Sequence, residues 1–249
     1  DRRALVRLPS NTTLIGARAG AGLVNGRIEI IGVANVIVRN LKIVAPCDVA
    51  PEWDPTDGSA GSWNAAYDAI AIQGAQHVWI DRNTITDAPV TDDTLPIENG
   101  KIKQCHDGAI DITRGANYVS VTYNVFDRHD KNMLIGHSDS NTADIGRFKI
   151  TIANNVFKNV SQRVPRVRFG QVHLFNNYFS GSKTASVYKH SYSVGVGAGA
   201  KIVSHSNVFA IKGATDCSRV VAPSNPNAVS AFSDTGSVLN RAPLGDCAL

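Results

Sequence analysis

The segment Gln162-Arg163-Val164-Pro165-Arg166-Val167-Arg168-Phe169-Gly170 carries arginines at near-alternating positions. Guanidinium is permanently charged, and its fork matches carboxylate and phosphate geometry. Pro165 forbids a helix and holds Val164 extended, so the segment reads as a strand or strand edge. On a strand, Arg166 and Arg168 share a face. Standing alone, such a row is as often a solvated basic edge as an anion grip. Asp107-Gly108-Ala109-Ile110-Asp111 places carboxylates at i and i+4, again on one strand face. Tyr67-Asp68-Ala69-Ile70 adds another acid at the start of a β-type run. If successive coils stack, Asp68, Asp107 and Asp111 lie in neighbouring layers. Such a set suits calcium, which takes hard oxygen ligands in irregular geometry, better than magnesium with its strict octahedron. By itself an Asp-x-x-x-Asp pair is more often surface acid than ligand.

Lys131, in His129-Asp130-Lys131, falls between the acids and the arginines. Stacking would then line one side of the molecule with carboxylates, a lysine and arginines in successive layers, a cleft suited to a polyanion. Alone, Lys131 reads as an exposed amine paired with Asp130, and His106 and His129 as hydrogen-bonding turn residues. The other histidines, His77, His137, His173, His190 and His205, show no ligand spacing.

The elements that must position these side chains are visible in a recurring asparagine. Arg39-Asn40-Leu41, Arg82-Asn83-Thr84-Ile85, Tyr123-Asn124-Val125-Phe126, Asn154-Asn155-Val156-Phe157, Asn176-Asn177-Tyr178-Phe179 and Ser206-Asn207-Val208-Phe209 each follow a short β-type run. The spacing varies as expected for a fixed core unit with loops of different length. Asparagine tolerates the left-handed conformation of a sharp bend, and stacked copies can hydrogen-bond along the stack. The following apolar residue would turn inward onto its equivalents. Hairpin signals of the Asn-Gly type occur only at Asn25-Gly26 and Asn99-Gly100, which argues against an antiparallel sandwich. The expected fold class is all-β, a right-handed parallel β-helix with loops of varying length forming a cleft.

The chain of 249 residues is long enough for a substantial core and is read as one domain over 1–249. Its net charge of +4 admits an acidic partner without identifying one. Cys47, Cys105, Cys217 and Cys247 form no Cys-x-x-Cys pair, which disfavours a zinc ribbon. Scattered and even in number, they fit two disulfides of a secreted protein, with the pairing open. No apolar run is long enough for a spanning helix.

The motifs His77-Val78-Trp79-Ile80-Asp81, His106-Asp107-Gly108-Ala109-Ile110-Asp111, His129-Asp130-Lys131-Asn132-Met133-Leu134-Ile135-Gly136 and Gln162 to Gly170 resemble, in order, those of the pectate lyases of polysaccharide lyase family 1. Gln171-Val172-His173-Leu174-Phe175-Asn176-Asn177-Tyr178 continues the match. The resemblance implies a parallel β-helix, secretion, a calcium cofactor and cleavage of polygalacturonate by β-elimination. It implies a monomer, with no nucleic-acid or membrane partner. Residue by residue, Asp68, Asp107 and Asp111 resemble the calcium ligands. Lys131 and Arg168 resemble the groups that grip substrate carboxylates, and Arg163 the base; Arg166 maps less closely. Arg82 stands where the family usually has histidine, which bears on turn contacts and not on the acids. The family's longer leading segment and capping helix are not found before residue 30, so the expected domain lacks them. Two alternatives are weighed: a non-catalytic polysaccharide-binding β-helix, and a pectin lyase acting on methylated substrate, which should lack the calcium acids.

Overall fold

The computed structural model describes residues 4–225 and 229–247. Short runs of Val, Ile and Phe form strands, and each turn of the chain lays one strand onto each of three sheets. The first sheet contains Gly26–Ile31, Ile70–Gln73, Ile110–Thr113, Met133–Ile135, Arg166–Val167 and Val194–Val196 as consecutive neighbours. The second contains Ala34–Arg39, Gln76–Asp81, Asn117–Thr122, Lys149–Ala153, Gln171–Phe175 and Lys201–His205. The third contains Lys42–Val44, Thr84–Thr86, Val125–Lys131, Val156–Gln162, Tyr178–Ser182 and Val208–Lys212. Pairing within these runs is parallel, so the expected parallel β-helix is the fold observed.

Register stacks like on like. Phe126, Phe157, Phe179 and Phe209 occupy one column, with adjacent rings 4.8, 5.0 and 4.6 Å apart and nearly parallel. Ile85 and Ile43 extend it one way and Leu239 the other. All of the phenylalanines are buried, and burial of such side chains is the main term holding the coils together.

At the bend from the second sheet to the third, Asn83, Asn124, Asn155, Asn177 and Asn207 form a buried ladder. Each Nδ2 donates to the next Oδ1, at 3.1, 3.1, 3.0 and 3.0 Å. The same oxygens accept the backbone N–H of the asparagine below. The left-handed conformation lies one residue earlier than expected, at Arg82, Tyr123, Asn154, Asn176 and Ser206. The ladder asparagine is therefore selected for its donor and acceptor amide, not for φ. In the first copy, Asn40 takes the left-handed position and Leu41 the ladder position, where its N–H donates to Asn83 Oδ1 at 3.0 Å. Ser237 Oγ closes the other end by accepting from Asn207 N at 3.0 Å.

Two long excursions leave the third sheet and return to the first, ahead of the strands Ile70–Gln73 and Ile110–Thr113. Each carries a hairpin, Glu52–Asp54 with Ser62–Asn64 and Ile97–Glu98 with Lys101–Ile102. Asn99-Gly100 turns the second with both residues at positive φ, as its hairpin signal predicts; Asn25 also has positive φ, but Gly26 there opens a first-sheet strand. The excursions are tied together by a disulfide between Cys47 and Cys105 and by Trp63 Nε1 donating to Glu98 O at 3.2 Å. Cys217 pairs with Cys247.

Candidate active site

The site residues fall in and beside successive strands of the first sheet. Asp68 lies two residues before Ile70–Gln73, Asp107 and Asp111 flank the start of Ile110–Thr113, and Lys131 lies two residues before Met133–Ile135. Arg163, Arg166 and Arg168 belong to the next coil, around Arg166–Val167. Asp111, Leu134 and Arg166 share a column, so an acid and an arginine stand two strands apart, about 10 Å at ordinary strand spacing. The expected succession of acids, lysine and arginines is what the stacking produces.

Asp107 departs from its expected place. It precedes the strand, so it and Asp111 do not share a strand face. The acids meet around Gly108 instead. Gly108 N donates to Asp68 Oδ1 at 3.1 Å, and Leu134 N donates to Asp111 Oδ1 at 3.3 Å. A β-carbon at Gly108 would stand 2.4 Å from Asp111 Oδ1 and 2.7 Å from Asp68 Oδ1. Glycine is required there by the space the two carboxylates occupy.

These acids strain against one another. Burial, then Asp111 and Asp107, hold Asp68 well above the usual carboxylate range. Burial, then Asp107, push Asp111 up to about 7, against the opposing pull of Arg163. Hard oxygen donors converging around a space that a methyl group would fill fit a hard divalent cation such as calcium. The trio is open. Among the described residues, the set of three candidate ligands with atoms all within 4.8 Å is Cys47, Cys105 and His106, whose sulfurs are spent in the disulfide.

The cations are held differently from one another. Lys131 is buried and makes no ion pair with Asp130, which instead accepts from Gln104 at 3.0 Å and Gln162 at 3.2 Å. Arg168 Nε donates to Asp139 Oδ1 at 2.6 Å and its Nη1 to Gly136 O at 3.0 Å, which anchors the side chain. Arg163 has positive φ and a buried Nε without a partner, and its charge acts on the nearby Tyr192 hydroxyl. Arg166 is pushed below the ordinary arginine value by burial and then by Arg168, and its Nε is also buried without a partner. The Val164–Pro165 peptide between them is cis.

A second layer escaped the sequence. His129 is buried; its Nδ1 meets Asp87 Oδ1 and its Nε2 meets Asp107 O at 2.9 Å. Both partners accept, so the ring donates from both nitrogens and is a cation. Burial alone would push it down, but Asp87, Asp130 and the Asp107 carbonyl together raise its pKa to about 9. Asp87 also accepts from Tyr188 Oη at 3.0 Å. His106 bridges Pro46 O at 3.0 Å and Val90 O at 2.8 Å, tying the two excursions to each other. The histidines expected to serve turns thus brace the acid loop and the wall beside it. Arg82 donates to Asp81 Oδ2 at 2.8 Å and lies over the Tyr123 ring, away from the acids.

Comparison with known proteins gives the family. A family model described as pectate lyase matches residues 2–249. Similar curated proteins are a pectate lyase of Bacillus subtilis (strain 168), 43% identical over 96% of this chain and 56% of its own length, and pectate lyase E of Dickeya dadantii (strain 3937), 42% identical over 96% and 59%. Among solved structures, a thermostable pectate lyase superimposes with a TM-score of 0.91 at 43% identity, covering 95% of this chain and 56% of that one. A pectate lyase bound to a hexasaccharide gives 0.93 at 40% identity, covering 97% and 60%. The chain spans less than two thirds of the length of these relatives. A full-length family match, relatives above 40% identity and the same three-sheet coil place this chain in the pectate lyase family.

Proposed function

We propose that the protein is a calcium-dependent pectate lyase that cleaves polygalacturonate by β-elimination, leaving a 4,5-unsaturated sugar. The observation that carries this reading is the succession, coil after coil at the first-sheet strands and the residues beside them, of Asp68, Asp107 and Asp111, then Lys131, then Arg163, Arg166 and Arg168. A polymer bearing one carboxylate per sugar matches a groove of alternating cationic partners.

Asp68, Asp107 and Asp111 would hold the calcium. Bound there, it would supply Lewis-acid neutralisation of a substrate carboxylate. Lys131 and Arg168 grip substrate carboxylates and place fixed positive charge where the transition state becomes more anionic. Arg168 suits that task because Asp139 and Gly136 fix its direction. Arg163 in its neutral form takes the proton from C5. The electron pair forms the C4–C5 double bond, the C4–O bond breaks, and the departing oxygen takes a proton from water. Arginine is an uncommon base, since free guanidinium keeps its proton beyond about pH 12. A neighbourhood of like charge favours proton loss, so turnover should rise into the alkaline range. The disulfides support a secreted protein, and we read it as a monomer whose residues 1–249 form one β-helix domain.

The test is formation of product absorbing in the ultraviolet from polygalacturonate, abolished by chelator and restored by calcium. Equal activity on fully methylated substrate, or indifference to chelator, would overturn the reading. Binding without product would leave a carbohydrate-binding β-helix.

A further inference from the structure

We propose that His173 and His205 form a transition-metal site on the second sheet, separate from the groove on the first. They stand on the neighbouring parallel strands Gln171–Phe175 and Lys201–His205. Register pairs His173 with Val203 and Phe175 with His205, so the imidazoles are diagonal neighbours. Side chains alternate along these strands: Val172, Leu174, Ile202 and Ser204 are buried, and His173, Phe175 and His205 face outward. The two Nε2 atoms approach to 2.7 Å.

That approach is short of what one metal ion requires of two ligands by only a few tenths of an ångström. With metal–nitrogen bonds of about 2.0–2.1 Å, ligands at a right angle are about 2.9 Å apart. A small rotation of either ring opens the pair to that distance. The rings are also preorganised. Phe175 lies against both, 4.4 Å from the His173 ring and 5.0 Å from the His205 ring, nearly parallel to the latter. Strand positions are stiff platforms, so little order need be imposed on binding.

Ligand chemistry selects the ion. Imidazole nitrogen suits copper, nickel and zinc, with copper(II) bound most tightly, and is a poor ligand for calcium. Two protein ligands leave the remaining positions to water. The half-buried, outward-facing site is reachable from solvent. Binding would clip adjacent coils of the solenoid to each other. A direct imidazole–imidazole hydrogen bond is the competing account of the same geometry, and it requires no metal.

The experiment is calorimetric titration of the calcium-saturated protein with copper(II) and with zinc in non-chelating buffer. Native protein should take up one equivalent that His173→Gln or His205→Gln weakens at least tenfold and the double variant loses. Glutamine retains a polar side chain, and matched melting curves without metal confirm that each variant is folded. His77→Gln serves as the control on the same face, since His77 stacks on Tyr118 instead. The copper(II) electron paramagnetic resonance spectrum should show coupling to two nitrogens in native protein and to one in either single variant. Uptake of equal affinity in the double variant, or no uptake by native protein, overturns the metal site and leaves the hydrogen bond.

Discussion

At the bend between the second and third sheets, an asparagine rests on an asparagine through five consecutive coils, joined by four amide-to-amide hydrogen bonds in which each inner amide both gives and takes. On the first sheet the same winding rests carboxylate against carboxylate and guanidinium beside guanidinium. An amide is donor and acceptor at once, so repetition satisfies it; a charge has one sign, so repetition leaves it wanting its opposite. Among the described residues, Arg163 Nε, Arg166 Nε and both side-chain amide atoms of Asn132 are buried without hydrogen-bond partners in the coils that carry the cations, and Arg39 Nε, Asp127 Oδ1, His190 Nδ1 and Ser224 Oγ are so elsewhere, whereas the ladder amides are all paired. A single geometric rule thus builds a self-sufficient spine and a face of unbalanced charge, the face on which the proposed function rests.

The contrast can be broken where function and stability fail to separate. Arg163→Lys should cost roughly 10³-fold in turnover, the range for a lost general base, with substrate affinity and melting temperature little changed. Persistent turnover would refute the assigned base, and a large loss of stability would mean that the groove also carries the fold. Gly108→Ala puts a methyl group against Asp68 and Asp111. Calcium affinity, measured by titration, should fall about 10–100-fold, as for disturbed metal surroundings, and high calcium should restore activity. Unaltered affinity would separate Gly108 from the cation site.

Asn155→Ala reverses the expectation. It leaves the buried Asn124 N–H without its acceptor and takes one hydrogen bond from each of the Asn124 and Asn177 side chains, and should cost about 2–4 kcal/mol in denaturant unfolding, at about 1–3 kcal/mol per abandoned buried group. Activity of the folded fraction should hold; a fall in kcat with the fold intact would join spine to groove. The smallest effect concerns His190, whose Nε2 bonds Ser193 at 2.9 Å. Burial, then Lys183, lower its pKa to about 4 from an ordinary 6.5. Between those values the unfolded chain binds the proton more readily, so stability falls as pH drops from about 6.5 toward 4. His190→Asn should flatten that part of the melting-temperature profile; an unchanged slope would assign it to another group.

Much of this was legible in order along the chain. The asparagine copies announce coils, and the acids, lysine and arginines occur in the sequence in the order in which the coils stack them. Local geometry was less legible. The residue in left-handed conformation precedes the ladder asparagine, because the amide is needed for stacking and the bend is made by its neighbour. Asp107 reaches the acid cluster from a loop, which an i, i+4 spacing does not distinguish from a strand. Partners far apart in sequence were not legible at all. Asp87 meets His129 across 42 residues and Tyr188 across 101, and His173 meets His205 across 32. Disulfide pairing belongs with them, since it follows from where the excursions fold back.

The ladder runs from Asn83 to Asn207, and the coils bearing Asp68, Asp111, Lys131 and Arg163 all close within it, at Asn83, Asn124, Asn155 and Asn177. Thermal fraying that begins at either tip of the rod must therefore travel through zippered amides before it disturbs the candidate site. Amide hydrogen exchange should register this as fast end coils enclosing a slow middle.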